Sequence, residues 1–499
     1  MSEALNYHND TKHSEQSIRS NAHYLDWDNK PIPFKIYNSL DPILLPREAD
    51  QTGVTALSAV AQSTLERNTE KIPDTADLSR LLYFSAGITK IKRYPGGEVF
   101  FRAASCTGAL YEIDLYLVCG DLPGLPAGVY HFGPHDLALR LLRQGDFRPA
   151  VAQATASEET VTHAPLTIVC TGTFWRNAWK YRTRTYRHFG WDNGTLLANL
   201  LAMSTALGLP ARLIMGFVDS EINRLLDLDT DREVAFSMVS LGHTSEKTNP
   251  ALMELPALNY SILPLSEREV DYPELRHVHA ASSLVSSEDV QQWRAGAGAT
   301  PSSVAASEPV PETVPQDPIE QVILRRASSR RFKRDSITLA QLQTMLRCAT
   351  QGIDADFLAS PAEQLNELYV IVNAVEGVEP GAYYFRRSDG TLELLKSGDF
   401  RADATYLDLG QALAGDASVA VFMMADLNSI MNRFGNRGYR AVQTEAGVIG
   451  GKLYLAAYAQ HLGASGLTFF DDDVTAFFSP HAAGKSTIFL VAIGKGAKE

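Results

Sequence analysis

The sequence predicts an α+β protein built of two homologous domains, each a mixed β-sheet flanked by helices, and three observations lead there. The first is a long internal repeat. Residues 124–132 (GLPAGVYHF) return as 377–385 (GVEPGAYYF) and 145–148 (GDFR) as 398–401 (GDFR), a constant offset of 253. The same shift relates Leu115-Tyr116 to Leu368-Tyr369, Tyr186-Arg187 to Tyr439-Arg440, Gly194 to Gly447 and Phe217 to Phe470. One offset held over so much chain is a duplication, not a short-period solenoid. The second observation is that helical and strand periodicities alternate irregularly within each half, which suits helices packed on a sheet. The third is the stretch 296–316, GAGATPSSVAASEPVPETVPQ, rich in Ala, Pro and Ser and with little to bury, which reads as a linker.

These give a first domain over 1–245, a wrapping segment and linker over 246–316, and a second domain over 317–499. In the first, Leu78, Leu81 and Leu82 mark a short helix ending at Gly87-Ile88, and residues 109–118 read as a strand. Residues 128–132 and 137–142 form a hairpin punctuated by Pro126 and Gly133-Pro134. A strand at 167–170, an apolar helix over 193–207 stopped by Gly208 and Pro210, and a strand at 234–241 complete the half. In the second, Thr338 and Gln341 form a capping box for a helix carrying Leu342, Met345 and Leu346. Strands near 368–372, 382–385 and 419–424, a helix over 445–460 and a strand at 487–493 follow in the same order.

Composition narrows the function classes. A formal charge of −13 argues against a broad nucleic-acid surface. Cys106, Cys119, Cys170 and Cys348 lack CxxC spacing, so neither a zinc site nor a disulfide framework is indicated, and a reducing cytoplasm fits. No run approaches the ~20 apolar residues of a spanning helix, so no membrane partner is expected.

Against this acidic background, Arg325, Arg326, Arg330, Arg331, Lys333 and Arg334 crowd the end of a helix expected after Asp317 and Pro318, with Asp317 as its cap. Alone, such a stretch is a solvated basic helix end or an anion site. Taken alone, the glycine-bounded turn 463–471 (GASGLTFFD) reads as a helix C-cap, and residues 102–111 (RAASCTGALY) lead into the strand expected from residue 109.

Taken together these residues resemble the FMN-dependent nitroreductase superfamily and, within it, the SagB-type dehydrogenases in tandem-duplicated form. The resemblance implies that Arg326, Ser328 and Arg330 grip the FMN phosphate, two guanidinium groups and a hydroxyl supplying directional donors to a dianion. It implies that Ser105, Cys106, Thr107, Gly108, Ala109 and Leu110 form the loop facing the flavin ring, with Ser105 where the family usually has proline. Leu467, Thr468 and Phe469 match the backbone turn near flavin N5, and Lys495 the position of a second phosphate ligand. The second half carries an eroded loop at 359–366 (ASPAEQLN), and the chain's opening, Tyr7 to His13, lacks the paired arginines. Each half has lost a different part, so one composite FMN site per chain is expected, with the phosphate grip from one half and the loop from the other.

Lys180-Tyr181 resembles the acid/base pair of SagB-type azoline oxidases, and a surface Lys-Tyr dipeptide is the plain alternative. A dehydrogenation needs a proton removed as hydride leaves, and a lysine of lowered pKa beside a tyrosine suits that task. The repeat places Arg433-Phe434 at the matching positions, neither a good base. His188 has no partner that spacing supplies, and no base near Cys106 in sequence makes it a nucleophile. The expected activity is hydride transfer between flavin and a small-molecule or peptide substrate. The alternatives are an NAD(P)H-dependent nitroreductase or quinone reductase and a catalytically decayed flavin-binding partner. A monomer acting as an intramolecular pseudo-dimer, or a homo-oligomer, follows from the fusion.

Overall fold

The computed structural model describes residues 2–497 apart from 21–23, 48–50, 62–64, 95–96, 299–314 and 361–362. Most of the expected linker, with Pro361 and Ala362, lies outside the described residues. The first half forms a seven-stranded sheet in the order Ile43–Leu44, Ala138–Gln144, Gly128–Gly133, Ile113–Cys119, Leu166–Thr173, Glu233–Leu241, Ala211–Ile214. The second forms a six-stranded sheet in the order Thr391–Ser397, Gly381–Arg386, Glu367–Val372, Val419–Ala425, Ser486–Gly494, Gly463–Leu467. Neighbouring strands in both sheets run antiparallel. Among the described residues the expected mixing of directions is limited to a short parallel ladder, Ile337–Thr338 against Val375–Glu376, and two isolated parallel bridges, Leu213 with Ala355 and Val218 with Leu284.

The duplication is carried element by element. Helices Phe174–Tyr181 and Leu427–Phe434, and strands Glu233–Leu241 and Ser486–Gly494, stand at the offset of 253. Upstream the offset is 264, between helices Thr75–Ala86 and Leu339–Thr350. The change is absorbed by a hairpin, Ile88–Tyr94 with Gly97–Arg102, that sequence periodicity did not reveal and that has no counterpart among the described residues of the second half. Downstream the strand pairings of Ala211 and Gly463 set an offset of 252, so Val218, not Phe217, corresponds to Phe470.

The halves meet through two long helices, Thr185–Ala206 and Arg437–Ala459. They cross at the repeat-related glycines Gly194 and Gly447, where a Cβ on Gly194 would stand 2.5 Å from the Cα of Gly447, so only glycine permits the approach. Both helices begin eight residues before the expected Asn193 and Glu445. Their first turns carry arginines and aromatics whose side chains are buried, because the other half supplies their partners. Arg184 and Arg187 bind Asp471, and Arg437 and Arg440 bind Asp219, two reciprocal ion-pair clusters related by the repeat.

Three local expectations change. The strand expected from residue 109 starts at Ile113, because Gly108, Ala109 and Tyr111 adopt positive φ (64°, 54° and 54°) and turn the chain. Asp317 does not cap the helix Ile319–Arg325; Pro318 is the N-cap residue, and the Asp317 carboxylate accepts from Arg325 Nη2 at 2.6 Å. The counterpart of that helix is Ala56–Ala61, not the chain's opening: Ala56 N donates to Asp317 O and Ile319 N to Val54 O, a reciprocal pair. Tyr7 and His8 pack instead against the central helices, against Tyr186 and Tyr439. Residues beyond 245 run over the first half, with Leu263 N bonded to Ile36 O and Ile32 N to Leu265 O. Among the described residues no helix is long and apolar enough to cross a membrane.

Candidate functional site

The loop after the extra hairpin is held from below by the central helix of its own half. Asp192 accepts from Thr107 N at 2.9 and 3.0 Å and from Thr107 Oγ1 at 2.9 Å, and Thr195 Oγ1 donates to Ser105 O at 2.7 Å. The repeat-related Glu445 performs the same task in the second half, accepting from Leu365 N and Asn366 N. The acids at 192 and 445 were missed in the sequence, although their constant offset was legible there.

Cys106 Sγ lies 3.3 Å from Asp192 Oδ2 and 3.4 Å from Glu112 Oε2, and accepts from Tyr111 N at 3.0 Å. Burial, then the charges of Asp192 and Glu112, push the thiol well above its ordinary pKa. Cys106 is therefore a protonated donor, not a nucleophile. These three side chains offer donor atoms within 4.8 Å of one another. Hydrogen bonds from Thr107, Tyr111 and Asn177 already account for the cluster.

Arg326 crosses from the second half to this loop. Its Nε and Nη2 donate to Ala103 O at 3.1 and 2.9 Å, and Nη2 to Arg102 O at 3.2 Å. Its guanidinium sits over the Tyr454 ring. Ser328 Oγ is 3.1 Å from Tyr454 Oη, which also accepts from Gly466 N, so the grip segment is tied to the glycine turn. Arg330 is exposed on the rim.

Lys180 and Tyr181, from the first half, reach the same place. Lys180 is half-buried with Nζ 5.1 Å from the Tyr181 ring centre; burial, then the nearby charges of Arg330 and Lys30, push its pKa down. Tyr181 moves the other way, held up by burial and by Asp192, Cys106 and Glu112, and so keeps its proton. Gly108 lies directly beneath it: a Cβ there would meet Tyr181 Oη at 2.9 Å. His188 packs edge-on to Tyr181, and its Nδ1 is 2.8 Å from Asn177 Oδ1. Burial keeps that imidazole neutral, so the partner that spacing could not supply is a buried amide.

Not every expected residue faces this space. Leu110 is buried among Trp175, Trp179 and Leu265. Phe469 is fully buried between Trp191 and Arg184. Lys495 is exposed, with its backbone carbonyl accepting from Lys333 N. Leu467 ends the strand that carries Gly466, and the next residue, Thr468, buries a hydroxyl with no hydrogen-bond partner. The orphan Thr468 hydroxyl and the exposed Arg330 guanidinium offer donors that fit a phosphorylated flavin, while Gly108 lets the Tyr181 phenol pack close onto the loop.

The mirrored place is different. There Met215 N and Gly216 N, counterparts of Leu467 and Thr468, donate to Asp356 at 2.9 and 2.8 Å. The Trp293 ring lies over Gly216, 3.1 Å from where a Cβ would stand, and packs against Phe434, the counterpart of Tyr181. Arg433, the counterpart of Lys180, is tied to Glu363 and to Gly296 O. Nothing in the periodicity of the helix Ser287–Ala295 announced that its tryptophan enters a site.

The nitroreductase family model matches residues 323–495. A protein assigned as a nitroreductase, MJ1384 of Methanocaldococcus jannaschii, is 24% identical over 152 residues, 30% of this chain and 73% of that one. The trifolitoxin-processing protein TfxB of Rhizobium leguminosarum bv. trifolii is 28% identical over 240 residues, 45% of this chain and 59% of its own length. A crystal structure assigned as a nitroreductase from Anabaena variabilis superposes with a TM-score of 0.78 at 27% identity, covering 100% of both chains. Residues 323–495 thus match the nitroreductase family model, and the whole chain shares the fold of two nitroreductase-like halves with a full-length structural relative, which supports an oxidoreductase.

Proposed function

We propose that the chain is a SagB-type dehydrogenase that binds one FMN between its halves and oxidises a ring carried by a peptide. The observation that carries the reading is the asymmetry of the two mirrored places. Lys180 and Tyr181 stand beside Arg330 at one, whereas the other has Arg433 and Phe434 and is filled by Trp293 and Asp356. The likeness to a protein named for trifolitoxin processing supports a peptide as substrate.

In this reading Arg326, Ser328 and Arg330 hold the phosphate and Ser105 to Ala109 lie against the ring. The bound flavin supplies the hydride acceptor. Lys180 Nζ removes the substrate proton, since a half-buried amine beside two other cations gives up its own proton more readily than a free lysine. Tyr181 keeps its proton and orients the substrate as a hydrogen-bond donor. The buried staple from Asp192 fixes the loop so that reacting groups meet without reorganisation.

Two measurements test this. Flavin released on denaturation should amount to one per chain, and two per chain would overturn the composite site. Lys180→Ala should keep its flavin and lose peptide oxidation by about 10²–10⁴-fold, the usual worth of a general base. Unchanged NAD(P)H-driven reduction of quinones or nitroaromatics in that variant, with no peptide oxidation in the parent, would favour the reductase.

A further inference from the structure

The hairpin Ile88–Tyr94 with Gly97–Arg102 stands apart from both large sheets. It belongs to the first half alone and leads directly into the loop that Arg326 holds, so it adjoins the one furnished site. Among the described residues no third strand joins it, and each outer edge is unpaired. Its first strand, ITKIKRY, carries Lys90, Lys92 and Arg93 in a chain of net charge −13, with Ile91 and Tyr94 exposed at 44% and 56%. Lysines on an open edge repel a second copy of the same edge and leave it open to a strand of opposite charge. The positive character continues toward the site: Phe100 packs on Phe34 at 5.1 Å, and Lys30, just upstream, lies within electrostatic reach of Lys180.

We propose that the strand Ile88–Tyr94 is the docking edge for an extended acidic peptide, which adds as a third strand and delivers its reactive residue to Lys180. This rests on the dehydrogenase reading for the delivery, not for the docking. Backbone pairing supplies affinity that tolerates sequence, Lys90 and Lys92 on one face select acidic side chains, and Ile91 on the other covers apolar ones. With Arg93 paired to Glu98 at 2.7 Å, the two remaining lysines are too few to neutralise a nucleic-acid backbone.

The test uses the flavin-loaded full chain and a fluorescein-labelled peptide alternating Glu with Val, followed by anisotropy at low salt. Lys90→Glu with Lys92→Glu should weaken binding about tenfold or more, while flavin content and its reduction by dithionite stay unchanged. Hydrogen exchange should slow in Ile88–Tyr94 when the peptide is added. Equal binding by parent and variant, equal binding of a Lys-Val peptide, protection elsewhere only, tighter binding of an oligonucleotide, or a change in oligomeric state in place of peptide binding would each overturn the proposal. A ring-bearing acidic peptide that protects the hairpin without being oxidised would sink the dehydrogenase reading and leave the docking edge standing.

Discussion

Asp471 offers the sharpest test of how the halves are joined. Its carboxylate is almost wholly buried and accepts from Arg187 Nη1 at 2.6 Å, Arg184 Nη1 at 3.3 Å and His13 N at 2.8 Å. Asp471→Asn keeps the shape and removes the charge, leaving two guanidinium groups buried without a counter-ion. Breaking such a pair from one side costs about 3–5 kcal/mol, a large part of a typical folding free energy. Arg184 and Arg187 open the same helix whose Asp192 staples the loop, so flavin should be lost together with the interface. Urea unfolding followed in parallel by tryptophan and by flavin fluorescence would measure both. The expected result is a loss of about 3–5 kcal/mol with flavin release shifted to the same lower midpoint. Asp219→Asn, which strands Arg437 and Arg440, should cost a similar amount. A loss below about 1 kcal/mol in both variants would refute the argument, because it would place these arginines in water.

Two further outcomes follow from the same geometry. Arg326→Ala should weaken FMN binding by about 10- to 150-fold, the worth of a charged hydrogen-bonding partner, as read by flavin fluorescence titration. Asp114, paired with Arg176 in the sheet core, has its pKa lowered to about 2: burial alone would raise it, but the guanidinium charge and hydrogen bonds outweigh that. A depressed folded pKa gives stability that is present above the ordinary value of 3.8 and lost as pH falls toward 2, about 2–3 kcal/mol in all. Acid unfolding of Asp114→Asn should be flatter than that of the parent over that window.

What was legible in the sequence was whatever repeats locally. Paired strands such as Gly128–Gly133 and Gly381–Arg386 carry their own turns and alternation. The Arg326-Ala-Ser328-Ser-Arg330 segment and the Lys180-Tyr181 dipeptide could be picked out because their chemistry lies in adjacent residues. The burial of the first turns of the central helices was not legible, because Asp471 and Asp219, the partners of Arg187 and Arg440, come from the other half. The hairpin was missed because its partly exposed strands lack a clean alternation of buried and open positions.

The sequence by itself determined that the chain is duplicated, that each half is an α+β unit and that one basic segment could hold an anion, since these depend on composition and spacing; the proton-moving pair was implied by the family resemblance. The pairing of the second half's arginine segment with the first half's loop was expected from the sequence, whereas the contacts by which they meet came only with the tertiary structure. Arg326 meets Ala103 across 223 residues, and Arg330 comes within electrostatic reach of Lys180. It also decided that Trp293 and Asp356 fill the mirrored place. Such outcomes turn on long-range burial, where a partner from another part of the chain satisfies a charge or takes up a volume, and no local pattern encodes that partner.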